Sequence, residues 1–184
     1  MRPVTREELL DYQTYGERRG AIRAEMLKTK ALRRIQVGPH LTVLFENRET
    51  VRYQIQEMMR AEQIVREDAI RHELDTYNEL LGGPGGLGAT LLVVVEEAVE
   101  RAVRLAEWRD LPGHIYVRFA DGSRAFARFD ARQVNEEKLS SVQFLNFACA
   151  GKTPVAVGTD FEPLAAEVNF TGEQRQALAA DLAD

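Results

Sequence analysis

The chain has little with which to cross-link itself or bind a metal. Cys149 is the only cysteine among 184 residues, so no intrachain disulfide can form, which fits a reducing compartment. Histidine is almost as scarce, and His40, His72 and His114 show none of the paired spacing of a zinc site. His72 adjoins Glu73, which places the two about 100° apart on a helix, so the Glu-x-x-His pair of di-iron bundles is missing as well. The longest apolar stretch, Ala89 to Val95, falls far short of the roughly 20 residues of a membrane helix. Residues Met1 to Glu8 lack the apolar core of a signal peptide. The expectation is a cytoplasmic protein with no membrane partner. Leu81 to Gly88 is glycine-rich, but it lacks the preceding strand and the Lys-Ser/Thr pair of a phosphate loop. It reads as a flexible connection.

With 45% hydrophobic and 29% charged residues, the composition is that of an ordinary folded protein, and no repeat or linker divides it. One domain spanning residues 1–184 is the simplest account. Its net charge of −5 is unevenly spread. From Arg18 to Arg34, seven bases face one acid, Glu25, so this segment is +6 and the remainder is −11. Such asymmetry marks either an anion site or a solvated helix whose bases pair with acids elsewhere in the chain.

Periodicity predicts an α+β fold, a mostly antiparallel sheet of short strands and hairpins packed with four to five helices. Thr5 and Glu8 form a capping box, so a first helix should begin at Arg6, bent or closely packed at Gly16 and Gly20. Residues 33–37 and 41–46 read as a half-buried hairpin turning at Gly38-Pro39-His40. A helix follows from Glu49, with a boundary near residue 66 and a second apolar stripe of Ile70, Leu74, Tyr77 and Leu81. Ala89 to Val95 reads as a central strand, and Glu96 to Arg109 as a helix turning Val99, Val103, Ala106 and Trp108 inward. Strands at 115–119 and 125–129 flank a three-residue loop. Val142 to Cys149 is a covered strand that pairs with 154–157. Thr171 and Gln174 cap a final helix.

The helix after Glu46 carries the candidate chemistry. Val51, Ile55, Met58 and Met59 lie on one side, and continued helical geometry puts Glu62 inside that stripe, about 20° from Val51. A carboxylate there needs a raised pKa or a cationic partner, and an arginine of the basic segment is the natural one. That pair is either a structural ion pair or part of a ligand or proton-transfer site. The candidate binding surface comprises Arg19, Arg23 and Arg34 from the basic segment, with Glu46 and Arg48 at the helix entrance. Gln54, Glu57, Arg60 and Glu62 along it, and Tyr77 from the following helix, complete the set. Cys149 reads as a small core hydrophobe rather than a reactive thiol. The basic segment with Tyr12 and Tyr15 has the ingredients of a nucleic-acid site but no recognition module, in a chain that is acidic overall.

Three stretches carry a family resemblance. They are Phe45-Glu46-Asn47-Arg48-x-Thr50-x-x-x-Gln54-Ile55-Gln56-Glu57-Met58-x-Arg60-x-Glu62, then Glu73-Leu74-x-x-Tyr77-Asn78-Glu79-Leu80, then Ser140-Ser141-Val142-x-Phe144-Leu145. Together they resemble the bacterial family known as domain of unknown function 3501, over nearly the whole chain. A Gly-rich insertion around Pro84 replaces the proline common in that family, and Val168-Asn169-Phe170 lacks a histidine associated with that region. The family's genes often adjoin those of rubrerythrin-like proteins and iron–sulfur oxidoreductases. The resemblance therefore implies an oxidoreductase or rubrerythrin-like partner, and no established activity.

The leading expectation is an accessory or binding protein of redox or peroxide-stress metabolism, using its polar central helix and basic first helix to hold a partner or a small anion. The alternative is a carboxylate-based metal-binding protein or enzyme working through Glu46, Glu57 and Glu62. Nucleic-acid binding ranks third. The sequence names no cofactor and no catalytic residue, and it leaves open whether the protein is an enzyme.

Overall fold

The computed structural model describes residues 1–130 and 138–184. The chain begins with an extended segment interrupted by one 3₁₀ turn, Arg6–Glu8, and the capping box at Thr5 and Glu8 closes only that turn. The helix predicted from Arg6 instead begins later, because Leu9 is extended (φ −90°, ψ 132°) and Asp11 caps a new start by accepting from the Thr14 N–H at 2.9 Å. This is α1, Tyr12–Ala31. It runs unbroken through Gly16 and Gly20, and beyond the adjoining helix backbone no atom lies within 4 Å of where a Cβ would stand at either. The glycines thus mark neither a break nor a close neighbour. Only Tyr15 and Met26 of its 20 residues are buried.

The strands form two antiparallel sheets. One holds β1 (Arg34–Val37), β2 (Leu41–Glu46), β3 (Leu87–Val93), β6 (Arg128–Phe129) and β7 (Val142–Phe147) in the order β1-β2-β3-β7-β6. The other holds β4 (Ile115–Arg118), β5 (Arg124–Phe126), β8 (Ala156–Thr159) and β9 (Ala166–Asn169) in the order β5-β4-β8-β9. Val43, Phe45 and Leu91 from the first sheet meet Ile115, Val117 and Val157 from the second in one core. β3 is central, as its apolar run predicts, and it pairs with β2 through Phe45↔Ala89 and with β7 through Ala89↔Leu145. All six residues of β2 are buried, so that strand is covered on both faces, whereas its hairpin partner β1 alternates exposed Arg34 and Gln36 with buried Ile35 and Val37, as a half-buried strand does.

Two strand pairings differ from the periodic reading. The run at 125–129 splits, with β5 returning to β4 while β6 crosses to β7 in the other sheet. The loop itself has three residues, 120–122, closed by the Phe119 N–H donating to the Ser123 carbonyl. The segment expected to pair with β7 instead forms β8, between β4 and β9, and β9 carries no pattern that marked it as a strand. The glycine-rich connection is tightly packed rather than slack. A Cβ on Gly88 would stand 1.6 Å from the Leu80 carbonyl oxygen, so no side chain fits there.

The other helices are α2 (Arg48–Ala61), α3 (Glu67–Asn78), α4 (Ala98–Glu107) and α5 (Gly172–Ala183). The α2–α3 boundary falls where the restart at Arg66 placed it, and the Thr171–Gln174 capping box opens α5. On α4 the buried residues are Leu105 and, just past its end, Trp108, while Val99 is 82% exposed and Val103 also faces solvent. The two valines lie 120° or more from Leu105 around the helix, so a helix seated on Leu105 turns them outward. A second apolar cluster joins α2 and α3 to the N-terminal segment through Val51, Ile55, Met59, Ile70 and Leu74 with Val4 and Leu9.

Candidate functional site

The site is built on α2. Asn47 caps it by accepting from the Thr50 N–H at 2.9 Å, while the Thr50 hydroxyl accepts from the Asn47 N–H at 2.9 Å. At the other end Gln63 adopts φ 55°, and the Ile64 N–H reaches back to the Met59 carbonyl at 2.8 Å. That is a Schellman stop with glutamine in the left-handed position that glycine usually fills. The stop corrects the assignment of Glu62 to the apolar stripe. Glu62 is the exposed residue just beyond the last helical turn, and no described arginine forms an ion pair with it.

The arginine of α1 goes to Glu57 instead. Arg19 Nε and Nη2 donate to the two carboxylate oxygens at 2.8 and 2.7 Å, a two-pronged pair. The Tyr15 hydroxyl donates to Glu57 Oε1 at 2.5 Å. The Arg19 hydrogen bond, aided by Tyr15, holds the Glu57 carboxyl below its ordinary pKa, and Arg60 adds to this from a distance. Burial, reinforced by Glu57, pushes the Tyr15 phenol well above its ordinary value. One turn earlier on α2, the Tyr53 phenol is raised by burial and then by the charge of Glu57, opposed by Arg19 and Arg23, and the Lys30 ammonium lies 5.2 Å from its ring centre. Burial lowers the pKa of Lys30, opposed by the charge of Glu46.

The other sequence candidates fall elsewhere. Glu46 is buried beneath α2, accepting from the Thr50 and Thr90 hydroxyls at 2.5 and 2.7 Å. Gln54 and Tyr77 lie together on the α2–α3 side, where burial raises the Tyr77 phenol and Gln54 opposes that shift. Glu73 lies there too, its pKa raised by burial and then by the charge of Glu62. Arg34 is exposed on β1. Glu46, Glu57 and Glu62 therefore point to three separate places. That geometry corrects the reading of them as one carboxylate cluster, and among the described residues no three His, Cys, Asp or Glu gather to hold an ion. Cys149 is buried, and burial pushes its thiol up to about 11.

The basic segment divides. Arg19, Lys28 and Arg33 form ion pairs, whereas among the described residues none joins Arg18, Arg23 or Arg34 to a carboxylate. Arg33 makes a contact that the sequence left unseen. Its Nε and Nη2 reach the Asp181 oxygens on α5 at 2.7 and 2.9 Å, both side chains are buried, and Asn47 Nδ2 donates to the same carboxylate at 3.1 Å. The end of α1, the start of α2 and the C-terminal helix are thereby tied at one point. Two cavities flank the first turns of α2. One of about 290 Å³ is lined by Met1, Val4, Asn47, Arg48 and Asp181, and one of about 170 Å³ by Leu10, Tyr15, Met26, Tyr53 and Gln56. Glu8, Glu49 and Arg52 line both.

The profile of the family described as protein of unknown function DUF3501 matches residues 3–182. No curated protein matches the chain. Among solved structures, the chain is similar to a novel protein of unknown function from Burkholderia pseudomallei K96243, at 31% identity and a TM-score of 0.89, over 98% of this chain and 100% of that one. With three-way agreement of motif, profile and fold across nearly its whole length, the chain belongs to the DUF3501 family of proteins of unknown function.

Proposed function

We propose that the protein is an accessory protein that docks an acidic partner on the α1–α2 face, and that the partner is an oxidoreductase or rubrerythrin-like protein of redox or peroxide-stress metabolism. The observation that carries this reading is the state of Arg23 and Arg52. Both are exposed beside Tyr53, and no described carboxylate forms an ion pair with either, in a chain that is acidic overall. Unpaired cations around a half-buried tyrosine have the chemistry of a contact rim, where arginine and tyrosine are enriched. Behind them the Arg19–Glu57–Tyr15 network fixes α1 against α2, so the face is presented rigidly. The redox assignment of the partner rests on the family's gene neighbours.

Titration of the full chain with purified rubrerythrin-like protein and with the iron–sulfur oxidoreductase of the same genome tests the reading. The expected result is a complex with one of them that weakens as salt rises from 50 to 500 mM, since exposed charges are screened over about 10 Å at 0.1 M. Absence of a complex with both at low salt overturns it.

A further inference from the structure

We infer that the trough crossed by residues 3–10 is a peptide-recognition groove, filled in this structure by the chain's own N-terminal segment and open to exchange with an extended peptide of a partner protein. The ligand is a peptide with two apolar anchors five residues apart and a carboxylate just before the second, the pattern of Val4, Glu8 and Leu9. The inference rests on the reading of the protein as one that docks a partner, and it adds a second grip, between α2 and α3, beside the α1–α2 face.

The way the segment is held carries the argument. Among the described residues, no main-chain-to-main-chain hydrogen bond joins residues 1–10 to the rest of the protein. Two side-chain amides take that role. Asn78 accepts from the Val4 N–H at 2.8 Å and donates to the Val4 carbonyl at 3.0 Å. Gln56, which is buried, accepts from the Leu10 N–H at 2.7 Å and donates to the Leu10 carbonyl at 3.1 Å. Each amide reads one residue's backbone in both directions, as a neighbouring strand would, and so grips any extended peptide whatever its side chains. Selectivity comes from the pockets between. Val4 and Leu9 are buried in the α2–α3 cluster, and Arg48 Nη2 donates to the Glu8 carboxylate at 2.5 Å.

Exchange is open to this segment because no helix or sheet has to unravel for it to leave. Its remaining charged contact, Arg6 to Glu67, lies at the surface, where ion pairs hold weakly. The two cavities beside Glu8 give an incoming chain room alongside it. An emptied groove would expose the apolar seats of Val4 and Leu9 to water, which favours refilling over vacancy.

The test uses the full chain. A double variant, Val4→Asp with Leu9→Asp, removes the segment's own anchors, and a fluorescein-labelled peptide of residues 2–11 is titrated into it and into the wild type. The expected result is binding at least tenfold tighter to the variant, lost when Gln56→Ala is added and lost when the peptide carries the same two aspartates. A variant that is folded by circular dichroism, has its N-terminus released to protease, and yet takes no peptide overturns the inference. If the variant does not fold, hydrogen exchange on the wild type decides. Val4 and Leu10 amides that exchange at least a hundredfold faster than the α2 amides support a releasable segment, and exchange only on global unfolding overturns it. Partner binding that needs Arg23 and Arg52, in a protein whose folded double variant takes no peptide, removes the groove and leaves the docking face standing.

Discussion

The space between the two sheets is packed with apolar side chains, from Phe45 and Leu91 on one side to Val117 and Val157 on the other, whereas α1 meets α2 through two tyrosines, two arginines, a lysine and a glutamate. Apolar packing is non-directional and tolerates any side chain of the right volume. A two-pronged arginine–carboxylate contact fixes both distance and angle. The sandwich therefore supplies stability, and the seam supplies a set position for one poorly anchored helix whose outer side stays charged. A 20-residue helix with only Tyr15 and Met26 buried gains little from burial, so its place depends on Glu57 and on the Arg33–Asp181 contact at its foot.

That contrast breaks most severely where charge is fully buried. Arg33→Ala should lower stability by about 3–5 kcal/mol in urea unfolding, because it strands the Asp181 carboxylate beside Asn47. Phe45→Ala should cost a similar 3–5 kcal/mol by opening a cavity between Phe147 and Phe170, its ring neighbours. Equal losses from an ion pair and from a phenyl ring would show that the foot of α1 belongs energetically to the core. Glu57→Gln should cost less, about 1–2 kcal/mol, since that pair is half-exposed and screened.

The Glu57 contact also has a pH signature. Its carboxyl pKa is lowered in the folded protein, so its stabilisation is present above the ordinary carboxylate range and disappears as pH falls through the folded value. Unfolding curves of the wild type and Glu57→Gln should differ at pH 7, draw together as the pH falls below the ordinary carboxylate range, and converge once it passes below the lowered Glu57 value. At the small end, Glu62→Gln should change stability by no more than about 0.5 kcal/mol, as for any exposed residue, with thermal melts as the check. A loss above about 2 kcal/mol there would restore Glu62 to the packed stripe.

The sequence disclosed elements whose periodicity and caps agree, such as β2, β3, α3 and α5 with its Thr171–Gln174 box. It misled where a local signal was real but brief. The Thr5–Glu8 box is formed, yet it closes one 3₁₀ turn. α2 stops at Ala61 because Gln63 takes a left-handed conformation, and a glutamine gives no warning of that. A single early stop moved Glu62 out of the site and left Glu57 as the partner of Arg19. Asp181 was hidden for another reason, since 148 residues separate it from Arg33 and no local pattern links such partners. Gln56 and Asn78 fall within the family-like motifs, but only the path of the N-terminal segment shows what their amides hold.

The most direct test of the account is a variant that changes the face and spares the fold, Arg23→Glu with Arg52→Glu. Both side chains are exposed and without described ion partners, so the unfolding free energy should stay within about 0.5 kcal/mol of wild type. Calorimetric titration with the rubrerythrin-like protein or the oxidoreductase that binds the wild type should show affinity reduced at least a hundredfold. Undiminished affinity in the folded variant would contradict the account and move the partner site away from the α1–α2 face.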